Sequence, residues 1–268
     1  MTLPEPAPGH AGEQASEHAP EHADIETSSD AYAGRFAGPV GDFLLERQNR
    51  VILDLLAPVL QPGARVLELG GGHAQVAPAL IRAGYSVTVV GSADVCRARL
   101  DRLRQSDPAS LPPERFEYRT ADLFDLPFPD RSFAAVVSVR LLAHVEDWQR
   151  LLAEMCRVAR RAVVNDYSDT RSFNRFYDLF FEWKRSREGN TRPFRCFRPG
   201  EPAAACARHG FGRPREVRQL FVPMVVHRVL KSVPASRALE AGSRIAGLTR
   251  WLGSPVVLRV ERQGETAS

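Results

Sequence analysis

Along residues 32–166, short apolar runs alternate with stretches in which apolar side chains recur every three or four positions. Phe43, Leu44, Val51, Leu55 and Leu56 fall on one face of a helix, which Pro58 and the Gln61-Pro62-Gly63 turn close. Residues 64–69 read as a buried strand, followed by a glycine-rich turn and a helix to about residue 83. Residues 86–90, 116–119, 134–139 and 162–165 read as further strands, with helices over 94–104 and 147–159 between them. Such alternation predicts a doubly wound, mostly parallel α/β sheet with helices on both faces. In that architecture ligands bind at the carboxyl ends of the strands, so chemistry is sought just after Leu69, Val90, Arg119, Val139 and Asn165.

Beyond residue 166 the pattern changes. Phe173, Phe176, Tyr177, Phe180, Phe181 and Trp183 crowd into eleven residues at helical spacing, a stripe that serves either as core or as an apolar wall for a ligand. A helix is expected over 199–211, a sixth strand over 216–222 and a seventh over 255–260. Between those strands, residues 224–252 place Val225, Val226, Val229, Leu230 and Val233 on one face, with Arg228, Lys231, Arg237, Arg244 and Arg250 around it. This segment is a helical pair packed on the domain, a lid or a membrane-surface helix.

The chain has 268 residues and is 44% apolar, which suits one hydrophobic core with appendages. No stretch approaches the roughly 18 consecutive apolar residues of a membrane span, and the first thirty residues lack the basic start and apolar core of a signal peptide. Cys96, Cys156, Cys196 and Cys206 show no metal or disulfide spacing, so reduced thiols and a cytoplasmic location are expected. Residues 1–30 hold seven acids and no Lys or Arg. Without apolar periodicity they read as a disordered acidic tail, leaving 31–268 as the folded domain. His18 and His22 lie four apart in that tail without a third ligand, so no metal site is expected. The remainder sets 36 basic against 25 acidic residues, a surplus of eleven. Its arginines are dispersed rather than gathered into a phosphate-binding face, so no nucleic-acid partner is expected.

The sharpest local signal is Glu68-Leu69-Gly70-Gly71-Gly72-His73-Ala74, which ends a strand and opens a helix. Glycines there let backbone approach a ligand and turn amide groups toward it. A dinucleotide fingerprint starting at Gly70 requires glycine where Gln75 stands, and no GxxxxGK[ST] phosphate loop occurs. Nicotinamide and nucleoside-triphosphate chemistry are therefore disfavoured.

The turn resembles the acid-GxGxG motif of class I methyltransferases, which receives S-adenosylmethionine (SAM). The resemblance extends through Gly84-Tyr85-Ser86-Val87-Thr88-Val89-Val90, Ala121-Asp122, the run from Leu126 to Phe133, and Leu142-Ala143-His144-Val145-Glu146-Asp147. Within the family it is closest to the ubiquinone/menaquinone-biosynthesis type of small-molecule methylase. The resemblance implies a seven-stranded Rossmann-like methyltransferase fold, its seventh strand inserted antiparallel, with an N-terminal helix and helical insertions at about 170–198 and 224–252. It implies that Gly70, Gly71 and Gly72 bring backbone against the methionine part, that Glu68 orients the loop, and that Asp122 and Leu123 bracket the adenine. His73 opens the following helix, facing the cofactor or solvent; Ser138 and Val139 follow the fourth strand beside the expected methyl group.

Two positions depart from the family pattern. Ala74 replaces the third glycine, and Gly91 stands where a carboxylate usually accepts the ribose hydroxyls; Ser92 and Asp94 are the nearest substitutes. Losing a charge-assisted hydrogen bond weakens binding by about tenfold to a hundredfold, so an inactive binding or scaffold relative is the alternative reading. On the acceptor side, Tyr32, Phe36, Arg140, Phe173, Phe176 and Tyr177 are substrate-binding candidates. Arg140 requires a nearby carboxylate to stand beside a sulfonium. Methyl transfer is an in-line displacement in which the protein aligns the nucleophile and excludes water; His144, Asp166 and Tyr167 are the candidates to take an acceptor proton. The expected function is SAM-dependent methylation of a small, apolar or aromatic acceptor.

Overall fold

The computed structural model describes residues 22–71, 76–172 and 194–264. Helices Ala23–Thr27 (α1), Asp30–Gly34 (α2) and Gly38–Leu56 (α3) lead into strand Arg65–Leu69 (β1). Helix Ala77–Arg82 (α4) and strand Ser86–Gly91 (β2) follow, then a 3-10 turn Asp94–Arg97 running into helix Ala98–Ser106 (α5) and strand Phe116–Thr120 (β3). Strand Phe133–Ser138 (β4), helix Trp148–Val158 (α6) and strand Ala159–Asp169 (β5) complete the parallel part. After the short strand Cys196–Phe197 (β6) come Glu201–Ala207 (α7), Phe211–Leu220 (β7), Met224–Leu230 (α8), Val233–Ile245 (α9), Leu248–Leu252 (α10) and Ser254–Arg262 (β8).

The main sheet has the order β3-β2-β1-β4-β5-β8-β7, with β6 paired to β5 off this path. Strands β1 to β5 run parallel, and β8 lies antiparallel between β5 and β7. Alternation along β1 separates two cores: Leu67 and Leu69 join Phe133, Val163, Leu151 and Met155 on the α6 side. Val66 joins Ile52, Leu56, Leu80, Val87 and Val137 beneath α3 and α4. Each fully buried Leu, Val or Phe contributes about 1.5–3 kcal/mol, and these layers fix the register that brings strand ends together. Leu69 pairs with Val90 and Ser138, and Ser138 with Asn165. Gly70, Gly91, Val139 and Asp166 thus emerge along one carboxyl edge.

Three expectations change. Residues 23–30, read as part of the tail, contain α1 and the start of α2; Ala23 and Asp24 are buried in the mouth of the sheet, so tertiary contacts order a segment without apolar periodicity. β7 begins at Phe211 rather than 216, because a register shift between Gly212 and Arg215 carries Pro214 through the ladder at the sheet edge, where proline is tolerated. β5 extends over 159–169, taking Ala159 from the expected helix. Residues 1–21 and the aromatic stretch 173–183 lie outside the described residues.

Candidate functional site

At the end of β1 the backbone of Gly70 turns with φ +71, and a Cβ there would meet Leu141 Cδ2 at 2.8 Å. At Gly71 a Cβ would meet the Glu68 side chain at 2.6 Å. Glycine is thus required by backbone conformation at the first position and by close approach at the second. Glu68 is only 2% exposed; it accepts backbone N–H groups from Val76 and Ala77 at the start of α4, yet burial still pushes its carboxyl up to about 8. Its Oε2 has no partner among the described residues. A buried carboxyl oxygen awaiting a donor beneath a glycine turn fits the ammonium of a methionine moiety. Ser138 Oγ donates to the Leu69 carbonyl at 3.2 Å, tying β4 to β1, and Val139 lines the same turn with Gly70 and Gly71. Gly72 and His73 lie outside the described residues.

At the end of β2 the missing carboxylate is found, but on another element. The Asp24 carboxylate from α1 accepts Ser92 N–H at 2.8 Å and the Ser92 hydroxyl, with Cys96 Sγ 3.5 Å away. Its Oδ2 lies 3.4 Å from where a Cβ on Gly91 would stand, and its Cβ 3.4 Å from where one on Gly70 would stand. A side chain at 91 would also meet the Tyr118 hydroxyl at 2.4 Å and Cys96 Cβ at 2.9 Å, so Gly91 is a packing requirement here. Ala23 packs into the apolar cluster that includes Leu69, Val90 and Leu123. Asp94 accepts the Thr120 hydroxyl, and exposed Asp122 accepts Phe124 N–H at 2.9 Å in a tight turn above buried Leu123. With α1 seated, the cavity left at the turn measures about 10 Å³ and is lined by Thr27, Tyr32, Glu68, Gly70, Gly71 and Arg140 among others. The residues fit the methionine end of SAM, while α1 fills the space above β2 where the resemblance sets the nucleoside.

A larger cavity of about 170 Å³ opens beside the turn. Tyr32, Arg140, His144, Asp166, Tyr167 and Phe221 are among its walls, so α2 and the ends of β4, β5 and β7 meet there. Arg140 is central: its φ of 59 is unusual for a non-glycine residue, and its N–H donates to Asp166 Oδ1 at 2.6 Å. The guanidinium sits 3.8 Å from the Phe36 ring centroid and donates to Gln48 Oε1 at 2.9 Å. Burial lowers its pKa and raises that of Asp166, because each charged form loses water. Burial also raises the Tyr32 hydroxyl. Asp166 is therefore the carboxylate that Arg140 requires. The Tyr167 hydroxyl donates to Glu216 Oε1 at 2.8 Å, which, after burial, raises its pKa further. His144 lies in the turn Leu142–His144, its ring 5.6 Å from that of Phe194. Phe173, Phe176 and Tyr177 lie outside the described residues.

Two contributors escaped the sequence reading. Gln48, 1% exposed, is a polar break in the apolar stripe of α3, a signal visible in the pattern. Glu240, fully buried on α9, accepts Phe221 and Val222 N–H at 3.2 and 3.0 Å and pairs with His227 Nε2 at 3.1 Å. It fixes the loop carrying Phe221 at the cavity, and it is the sole acid between residues 223 and 253.

Sheet order, the antiparallel β8 and the glycine turn define a class I α/β methyltransferase fold. Residues 67–163 match the family described as "Methyltransferase domain". Malonyl-[acyl-carrier protein] O-methyltransferase of Halorhodospira halophila is 35% identical over 140 residues, covering 50% of this chain and 43% of that protein. The ubiquinone/menaquinone biosynthesis C-methyltransferase of Desulfotalea psychrophila is 29% identical over 137 residues, covering 51% and 54%. The chain thus spans about half the length of the curated relatives it matches. Magnesium protoporphyrin IX methyltransferase of Synechocystis, solved with S-adenosylhomocysteine (SAH) bound, superposes with a TM-score of 0.59 at 14% identity over 89% of this chain and 98% of that one. The similarity read from the turn and the strands after it is borne out, including its ubiquinone/menaquinone type.

Proposed function

We propose that this protein is a SAM-dependent methyltransferase acting on a small acceptor with an apolar or aromatic body. The observation that carries this reading is that Tyr32 and Arg140 line both the glycine-turn cavity and the larger one beside it. A donor at the turn and an acceptor in the cavity would therefore be neighbours. Phe194, Leu220, Phe221, Pro223, Met224 and Pro255 give the larger cavity its apolar walls, which favours the acceptor class named.

Bound SAM supplies an electrophilic methyl on a sulfonium. Glu68 and the Gly70-Gly71 backbone would hold its methionine end, and Asp122 and Leu123 its adenine. Phe36 and Gln48 hold the Arg140 guanidinium, while the Arg140 backbone N–H holds the Asp166 carboxylate, so both groups are fixed in the cavity wall. Asp166, its pKa raised by burial, or His144 across the cavity takes the proton of an acceptor that must lose one. Tyr167 shapes the wall through its bond to Glu216. The four cysteines are free, three of them buried, consistent with a cytoplasmic setting, and no nucleic-acid partner is proposed. The position of α1 favours a second reading, a binding protein that keeps the fold without turnover.

Calorimetric titration of the full chain with SAM and SAH at physiological salt tests the cofactor site on which the first reading depends. Micromolar binding of both ligands is expected. No heat and no thermal stabilisation at millimolar ligand would overturn the methyltransferase reading.

A further inference from the structure

Ten large apolar side chains stand exposed among the described residues, and nine belong to residues 225–252. Val225, Val226, Val229 and Leu230 come from α8, Leu239 and Ile245 from α9, and Leu248, Trp251 and Leu252 from α10. Ile245 is 89% exposed, Val229 74% and Trp251 64%. Leu230, Ala238, Leu239, Gly242 and Leu248 line an open apolar groove between these helices. Around them Arg228, Lys231, Arg237, Arg244 and Arg250 are exposed, and Arg250 lies 5.7 Å from the Trp251 ring. The only acid of the segment, Glu240, is fully buried, so every charge that residues 225–252 expose is basic.

From this geometry we infer that the α8–α10 face docks on an anionic lipid surface. Apolar side chains ringed by cations, with an interfacial tryptophan, match the boundary between acyl chains and acidic headgroups. A second copy meeting this face symmetrically would oppose five cations to five. The acids of residues 1–21 match the charge, but that segment offers only Met1 and Leu3 as large apolar side chains. Met224, which starts α8, also lines the acceptor cavity, so a docked protein would hold that cavity next to the lipid.

Sedimentation of the full chain with phosphatidylcholine vesicles, with or without about one-third phosphatidylglycerol, tests the inference. At least tenfold greater binding to the anionic vesicles is expected, weakened by salt, with a blue shift of Trp251 emission that Trp251→Phe removes. Val229→Glu with Ile245→Glu should abolish binding at an unchanged melting temperature; if that variant unfolds, Arg228→Gln with Arg250→Gln serves instead. Absent or equal binding to the two vesicle types overturns the inference. So does lipid-free self-association lost in the glutamate variant, which would make the face an interface between copies.

The placement of α1 carries a second inference, which rests on the proposed function. Asp24 is 0% and Ala23 2% exposed. One bonds Ser92 at the end of β2 and the other fills the apolar slot beside Leu123. We infer that α1 is an internal competitor for the nucleoside half of SAM, so that cofactor binding requires α1 to leave. In the full chain, Asp24→Ala should tighten SAH binding by about tenfold or more, and saturating SAH should speed amide exchange at residues 25–29 of the unsubstituted protein. Weaker binding would make Asp24 a cofactor ligand, and unchanged binding would make α1 irrelevant; either overturns this inference alone. No SAH binding by either protein overturns the methyltransferase reading as well.

Discussion

Glu68, Gly70, Gly71, Gly91 and Leu123 reach the glycine-turn side of the cleft from strand ends set by sheet register, each within a few residues of its strand. The side proposed for the acceptor is assembled differently: Tyr32, Gln48, Arg140, Asp166 and Phe221 come from five separated parts of the chain and are brought together largely through side chains. On the first side backbone does the positioning, so the constraints fall on small residues and on one buried carboxyl. On the second, buried polar groups hold one another, and each depends on partners far away in sequence. Changes at the turn should therefore act through backbone conformation and protonation, and changes in the cavity wall through broken polar contacts.

The largest effect is expected at Glu240. Its replacement by Ala strands two backbone N–H groups and buried His227, costing about 3–5 kcal/mol in a denaturant titration. SAH binding by the protein still folded should stay within about threefold; a larger loss would show that the two sides are not independent. Next is Glu68, whose carboxyl is raised from 4.5 to about 8 in the folded chain. Between those values the folded state keeps a proton that the unfolded state releases, so stability should fall steadily as pH rises across the window. Glu68→Gln should flatten that profile in melts from pH 4 to 9. Gly91→Asp, which restores the family's usual residue, should destabilise by about 1–3 kcal/mol, since Tyr118 and Cys96 fill that space; tighter SAH binding at unchanged stability would refute the packing argument. The smallest effect belongs to the exposed Arg97–Asp101 pair, 3.0 Å apart. Asp101→Asn should shift stability by no more than about 0.5 kcal/mol.

Legibility in the sequence follows the same division. Strands β1 to β4 and the glycine turn were readable because apolar runs and turn residues act locally. The antiparallel place of β8 was carried by family likeness rather than by its own residues. Tyr32, Phe36, Arg140, His144 and Asp166 are each legible as candidates, but nothing in their spacing shows that the Arg140 guanidinium stacks on Phe36 while its backbone N–H reaches Asp166. α1 was missed because its order comes from one carboxylate and one small apolar side chain fitted into a cleft, which leave no periodic trace. The arginines of residues 224–252 were visible from the start, whereas the burial of Glu240 beneath them depends on long-range packing.

The position of β8 has a consequence for how the protein is made. The sheet's last strand in chain order fills the slot between β5 and β7, so until residues 254–262 have left the ribosome, β5 presents an open edge and β7 has nothing to pair with. Synthesis thus passes through a long interval in which a highly apolar strand is exposed to neighbouring nascent chains. A reading frame interrupted between Leu220 and Ser254 would yield a polypeptide with seven of the eight described strands and nothing to join β7 to the rest of the sheet, a substrate for chaperones and proteases.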